Sequence, residues 1–182
     1  MIISGLARRK CPTSRQSQRP HPSRLVLTHE SRRLRSWLIY NVSQNMPPEL
    51  AWLLGERLAE VVKREFSWLF ILSSGGSVTT EHPWRLITHD GVAASSMDDQ
   101  HLFGSHTAFD ASASVLRATK GKQIAGVRVA GGSSDLILAF DGDVRLEFLT
   151  LSSGYEGWRA TYRDADLICL GGGVLYRNEK KG

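Results

Sequence analysis

Leu136-Ile137-Leu138-Ala139-Phe140-Asp141-Gly142-Asp143-Val144-Arg145-Leu146-Glu147-Phe148 is the stretch that decides the fold. An unbroken apolar run stops at Asp141-Gly142, a pair suited to the positive backbone angles of a tight hairpin turn. Beyond the turn, Val144, Leu146 and Phe148 alternate with Arg145 and Glu147, the period of a strand with one wet face. The arms 136–140 and 144–151 therefore predict an antiparallel hairpin. Further short strands are expected at 158–162 and 166–170, joined by the polar turn Arg163-Asp164-Ala165.

Working outward, the same order of residues occurs earlier in the chain. Gly55-Glu56-Arg57-Leu58-Ala59-Glu60-Val61 lines up with Gly121-Lys122-Gln123-Ile124-Ala125-Gly126-Val127 at an offset of 66. The run Trp68-Leu69-Phe70-Ile71-Leu72 matches 134–140 with a slip of one or two residues, and Gly76-Ser77-Val78 and Glu81 match Gly142-Asp143-Val144 and Glu147. Each copy closes on Trp-Arg, Trp84-Arg85 and Trp158-Arg159, the second after an eight-residue insertion. Self-similarity of this kind constrains architecture more than any short motif. It predicts an α+β protein with a β-rich core of two similar antiparallel β units, 55–88 and 121–162, joined by one helix. Strands are expected at 68–72 and 78–81 in the first unit, around a turn at Gly75-Gly76.

Two rules disagree over residues 49–65. Leu50, Leu53, Leu54, Leu58, Val61 and Val62 fall at helical spacing behind Pro47-Pro48, a good helix start. The repeat aligns the second part of this segment with Ile124, Val127 and Val129, which read as a strand. A short helix ending near Gly55, followed by a strand, satisfies both. The connecting helix is expected at 108–119, where Phe109, Val115 and Leu116 with several alanines make an apolar face and Gly121 follows the end.

The order of these elements, with the Phe103-Gly104 connector, Ser152-Ser153-Gly154-Tyr155-Glu156-Gly157-Trp158 and the cluster Gly171-Gly172-Gly173, resembles a family of small bacterial proteins grouped as a domain of unknown function. The likeness spans roughly residues 50–173, and some look-alikes sit among toxin-immunity proteins. The resemblance implies a bacterial cytosolic protein and nothing catalytic.

Motifs with fixed catalytic spacing are missing: there is no G-x-x-x-x-G-K-[ST], no G-x-S-x-G and no H-E-x-x-H. The nearest approach to a reactive cluster is 96–106, where Asp98, Asp99, His101 and His106 offer oxygen and nitrogen donors for a metal or a proton. These four are weak metal candidates for a metal-dependent hydrolase. The plainer reading is a polar loop that caps the following helix and docks it through Phe103. The pairs Trp84-Arg85 and Trp158-Arg159 could grip an anionic or aromatic ligand in a cleft between the copies. Alternatively the tryptophans fill equivalent core positions, each arginine reaching water or pairing with Glu81 or Glu147 in its own copy. Tyr155, Glu156 and Trp158 lie in or beside the insertion, where a duplicated scaffold tends to place a contact.

Charge separates the chain into two parts. Of a formal +5, residues 1–45 contribute +8, nine basic residues against Glu30, so the remainder is −3. An acidic core argues against a nucleic-acid-reading surface there, which needs clustered Lys and Arg. The arm, with its Pro, Ser, Gln and Arg, has the composition of a segment that cannot offset its ordering entropy. Three readings stay open: an anion-binding arm capable of nonspecific nucleic-acid contact, a targeting peptide, or upstream sequence preceding a true start at Met46. Residues 36–42 are rich in strand formers and could add a loose edge strand. The domain itself is expected over 48–176 after a disordered 1–47, with a flexible tail at 177–182. Cys11 and Cys169 suggest neither disulfide nor zinc, no apolar run is long enough to span a bilayer, and a cytoplasmic setting without cofactor fits. A noncatalytic protein-binding module, of immunity or regulatory type, is the leading expectation, working through sheet edges and an acidic surface.

Overall fold

The computed structural model describes residues 46–179. The basic arm and the expected edge strand at 36–42 lie outside the described residues. Within them, the fold is β-rich, with two antiparallel sheets and one α-helix.

The chain enters through a 3-10 helix at Pro48–Leu53, where Pro48 sits at the first helical position and Leu50 and Leu53 are fully buried. Helical spacing then gives way to a strand, β1 (Leu58–Lys63). There follow β2 (Trp68–Leu72), β3 (Ser77–Thr80), β4 (Trp84–Thr88) and β5 (Gly91–Ser95). Helix α1 (Ala111–Thr119) begins later than its apolar pattern suggested, because the Asp110 side chain accepts from the Ala113 amide and sets the N-cap. The second series is β6 (Ile124–Val129), β7 (Leu136–Phe140), β8 (Val144–Phe148), β9 (Trp158–Tyr162) and β10 (Ala165–Leu170), with a final β11 (Val174–Glu179).

The hairpin β7–β8 forms as read, with Phe140 opposite Val144 and three residues between them. Gly142 and Asp143 both adopt positive φ there, 76° and 60°. Strand β8 stops at Phe148, short of Leu151, because Leu149 turns its amide to the carbonyl of Pro83. The tail expectation is corrected: Arg177, Asn178 and Glu179 pair with Leu167, Asp166 and Ala165 as the end of β11. Neither β5 nor β11 was visible in the sequence pattern.

Sheet A runs β1-β2-β3-β9-β10-β11 and sheet B runs β5-β4-β8-β7-β6. Each sheet thus takes three consecutive strands from one series and a hairpin from the other, with β11 added at the edge of sheet A. The seams are β3–β9, where Thr80 faces Trp158, and β4–β8, where Trp84 faces Phe148. The sheets meet over one core. Trp68 and Phe70 of sheet A make edge-to-face contacts with Trp84 at 5.0 and 5.4 Å, and Phe70 meets Phe148 at 4.9 Å. Such pairs are worth about 0.5–1.5 kcal/mol each beyond the area they bury. Both Trp84 and Trp158 are fully buried core anchors.

Candidate functional site

The expected binding residues separate into three places. Trp84 and Trp158 are 1% and 0% exposed, so neither indole can face a ligand, and the cleft holding both Trp-Arg pairs does not form. Because side chains alternate along a strand, burying each Trp turns the next residue outward. Arg85 lands on the outer face of sheet B and Arg159 on the outer face of sheet A. The expected pairing within each copy is also corrected. Arg85 binds Glu147 across the β4–β8 seam at 2.7 Å, and Arg159 binds Glu156 in a two-pronged contact at 3.0 and 2.9 Å.

Tyr155, Glu156 and Arg159 do come together, in a groove of about 600 Å³ on the outer face of sheet A. Its floor is Leu69, Ser77, Thr79 and Thr161, from three adjacent strands. One wall is the insertion between β8 and β9. Several bonds fix this wall. The Ser152 hydroxyl accepts from the amides of Gly154 and Tyr155, the Ser152 carbonyl accepts from Gly172, and the Thr80 hydroxyl donates to the Gly157 carbonyl. A Cβ on Gly171 would lie 2.6 Å from the Gly154 backbone, so the glycine cluster after β10 is what lets the insertion settle. On this rigid base Tyr155 stands 79% exposed.

Glu156 holds the Arg159 guanidinium in plane and, with the more distant Asp166, raises its pKa against the smaller effect of burial. At the ends of the groove, Arg64 and Glu81 make no ion pair among the described residues. Next to Thr161 in the sheet lies Asp166, 3% exposed, one of whose oxygens has no hydrogen-bond partner among the described residues. Sequence reasoning missed both Arg64 and Asp166. Register could have found Asp166, since 166 shares a face with 161 once the β9–β10 turn is fixed.

The 96–106 loop arranges its carboxylates for structure. Asp99 is bound by the Lys63 ammonium at 3.0 Å and by the Ala111 amide at 3.1 Å, which ties β1 to the start of α1. Asp98 accepts from the Ser95 hydroxyl. His101 lies 5.6 Å from the Phe103 ring, and no three His, Cys, Asp or Glu side chains gather at metal-binding distance among the described residues. Phe103 is 69% exposed, so the docking ring is instead Phe109, half-buried against the core and in edge contact with Phe103. Cys169 is buried, and burial raises its thiol pKa. No helix of the described residues is long and apolar enough to cross a membrane. No protein-family model matches the chain, and no curated protein or solved structure is significantly similar to it.

Proposed function

We propose that this protein is a noncatalytic protein-binding module, of immunity or regulatory type, built on a duplicated β scaffold and working in the cytoplasm. The observation that carries the reading is the Tyr155 loop, an exposed aromatic side chain on a wall fixed by hydrogen bonds above a hydroxyl-lined groove. An amphipathic ring held rigid loses little entropy on contact, which is why tyrosine serves so often as an interface anchor. The Glu156–Arg159 pair beside it is prearranged to meet polar groups of a partner.

Four features support duplication. Bulges fall between Leu58 and Glu60 and between Ile124 and Gly126, 66 residues apart in both positions. Gly55 and Gly121, also 66 apart, both take positive φ. Strand order in sheet B follows that of sheet A with five added or subtracted from each strand number, β11 being the one addition. After the first hairpin strand the pairing registers match at 68, setting Val78 opposite Phe70 as Leu146 is opposite Leu138. The alternative, a metal-dependent hydrolase using Asp98, Asp99, His101 and His106, has less support, since both carboxylates are engaged in holding the loop.

The test is affinity capture from source-cell lysate with the full chain and with Tyr155→Ala, each with and without nuclease, read by mass spectrometry. A stoichiometric protein held by the parent, indifferent to nuclease and lost with Tyr155→Ala, is the expected result. Captures that are identical for parent and variant would overturn the assignment of the groove.

A further inference from the structure

The outer face of sheet B carries a different chemistry. Strand registers place Arg85, Glu147, Ile137 and Arg128 in one row across β4, β8, β7 and β6, and Ile87, Arg145 and Ala139 in the next. Among the paired residues of this face, three arginines thus stand against a single carboxylate. Glu147 is only 6% exposed, and each of its oxygens is held by an arginine Nε at 2.7 Å, Oε2 by Arg85 and Oε1 by Arg145.

A buried carboxylate with one cation would be neutral, but this one has two. Holding two guanidinium groups on one carboxylate brings like charges side by side, an arrangement completed by one further anion. The donors for that anion are present. Both arginines spend only their Nε on Glu147, and their side chains are 45% and 46% exposed. Their outer nitrogens bond nothing among the described residues, in the fork geometry that matches a carboxylate. Arg128 forms no ion pair among the described residues and extends the positive row to a distance on the order of 14 Å at ordinary strand spacing.

We propose that this face is a docking surface for an acidic segment of a protein partner, the Arg85–Glu147–Arg145 clamp receiving a partner carboxylate and Arg128 a second one. Apolar Ile87 and the 62% exposed Val92 lie beside the arginines and suit the aliphatic parts of such a segment. A nucleic-acid strand would instead call for aromatic platforms on which bases stack, and the paired residues of this face include none. The surface is opposite in sign to the net charge of the chain after residue 45 and distinct from the Tyr155 groove, so it stands whether or not that groove binds a partner.

The experiment is a titration of the full 15N-labelled chain with hexaglutamate, following arginine Nε–Hε resonances. Saturable shifts at Arg85 and Arg145 are expected, with affinity falling three- to tenfold in Arg128→Gln and changing less than twofold in Arg159→Gln. Arg128 bonds no charged group among the described residues, so its variant tests the surface without unfolding the clamp. Shifts confined to arginines of residues 1–45 would overturn the proposal, as would an unchanged affinity in Arg128→Gln. A twelve-nucleotide single strand moving the Arg85 and Arg145 resonances at tenfold lower concentration would overturn the choice of a protein partner.

Discussion

The outer faces of the two sheets share one core and one strand order, yet they carry different chemistry. On sheet A, a single arginine is matched by Glu156, hydroxyl side chains line the surface, and an inserted loop builds a wall. On sheet B, arginines outnumber carboxylates among the paired residues, and Arg85 and Arg145 stay close to half exposed. The lesson is that a shared core fixes where outward side chains stand, while loop length and the charge balance of a few outward positions decide what they meet.

The comparison can be broken most forcefully at Glu147. Replacing it by Ala leaves two adjacent guanidinium groups without their counterion, and a loss of about 2 kcal/mol is expected in urea unfolding, reduced from a fully buried case because both arginines are half exposed. Arg159→Gln on sheet A, which breaks an exposed pair, is expected to cost under about 1 kcal/mol. Equal losses would mean that the two clamps are energetically alike.

The buried tryptophans sharpen the comparison at the core. Trp158 donates its indole N–H to the Ser134 carbonyl at 2.7 Å, whereas the Trp84 indole N–H has no partner among the described residues. Trp158→Phe should therefore cost about 1–2 kcal/mol more than Trp84→Phe, measured by the same unfolding curves. A reversed order would contradict the hydrogen-bond assignment. Smaller again is a gain: Asp166→Val replaces a buried carboxylate with an orphan oxygen by a strand former, and about 1 kcal/mol of added stability is expected. A loss would show that Asp166 is held by its charge interaction with Arg159. Tyr155→Ala should change stability by less than about 0.5 kcal/mol, because the ring is exposed and the loop is tied by its backbone. A larger shift in melting temperature would make Tyr155 part of the scaffold.

The hairpin at 136–148 and the matching offsets were legible because alternation and glycine position are local signals. What escaped is non-local. Nothing in Trp84-Arg85 or Glu147 says that they sit on neighbouring strands, and reading the first copy as a closed unit gave Arg85 the wrong partner. Strand β5 was hidden because Gly91-Val92-Ala93-Ala94-Ser95 lacks bulky strand formers and its exposure depends on a bulge opposite β4. Strand β11 was read as tail because Gly171-Gly172-Gly173 signals an end, although it serves as a tight connection back along β10. In the candidate site, the insertion is the segment that brings Tyr155 and Glu156 to the groove. The floor, drawn from three strands far apart in sequence, needed the registers.

The exchange of hairpins between the sheets also governs how the chain must reach its native state. Strand β3 cannot complete its pairing until β9 exists, 78 residues later at the Thr80–Trp158 seam, and β4 waits in the same way for β8. On a ribosome, the first series would emerge with two strands each lacking one neighbour, and no stop before β8 would leave a complete sheet. A topology so rich in distant contacts is expected to fold slowly. It also supplies a route to error: at high concentration the second series of one molecule could pair with the first series of another, giving an intertwined dimer that uses only native contacts.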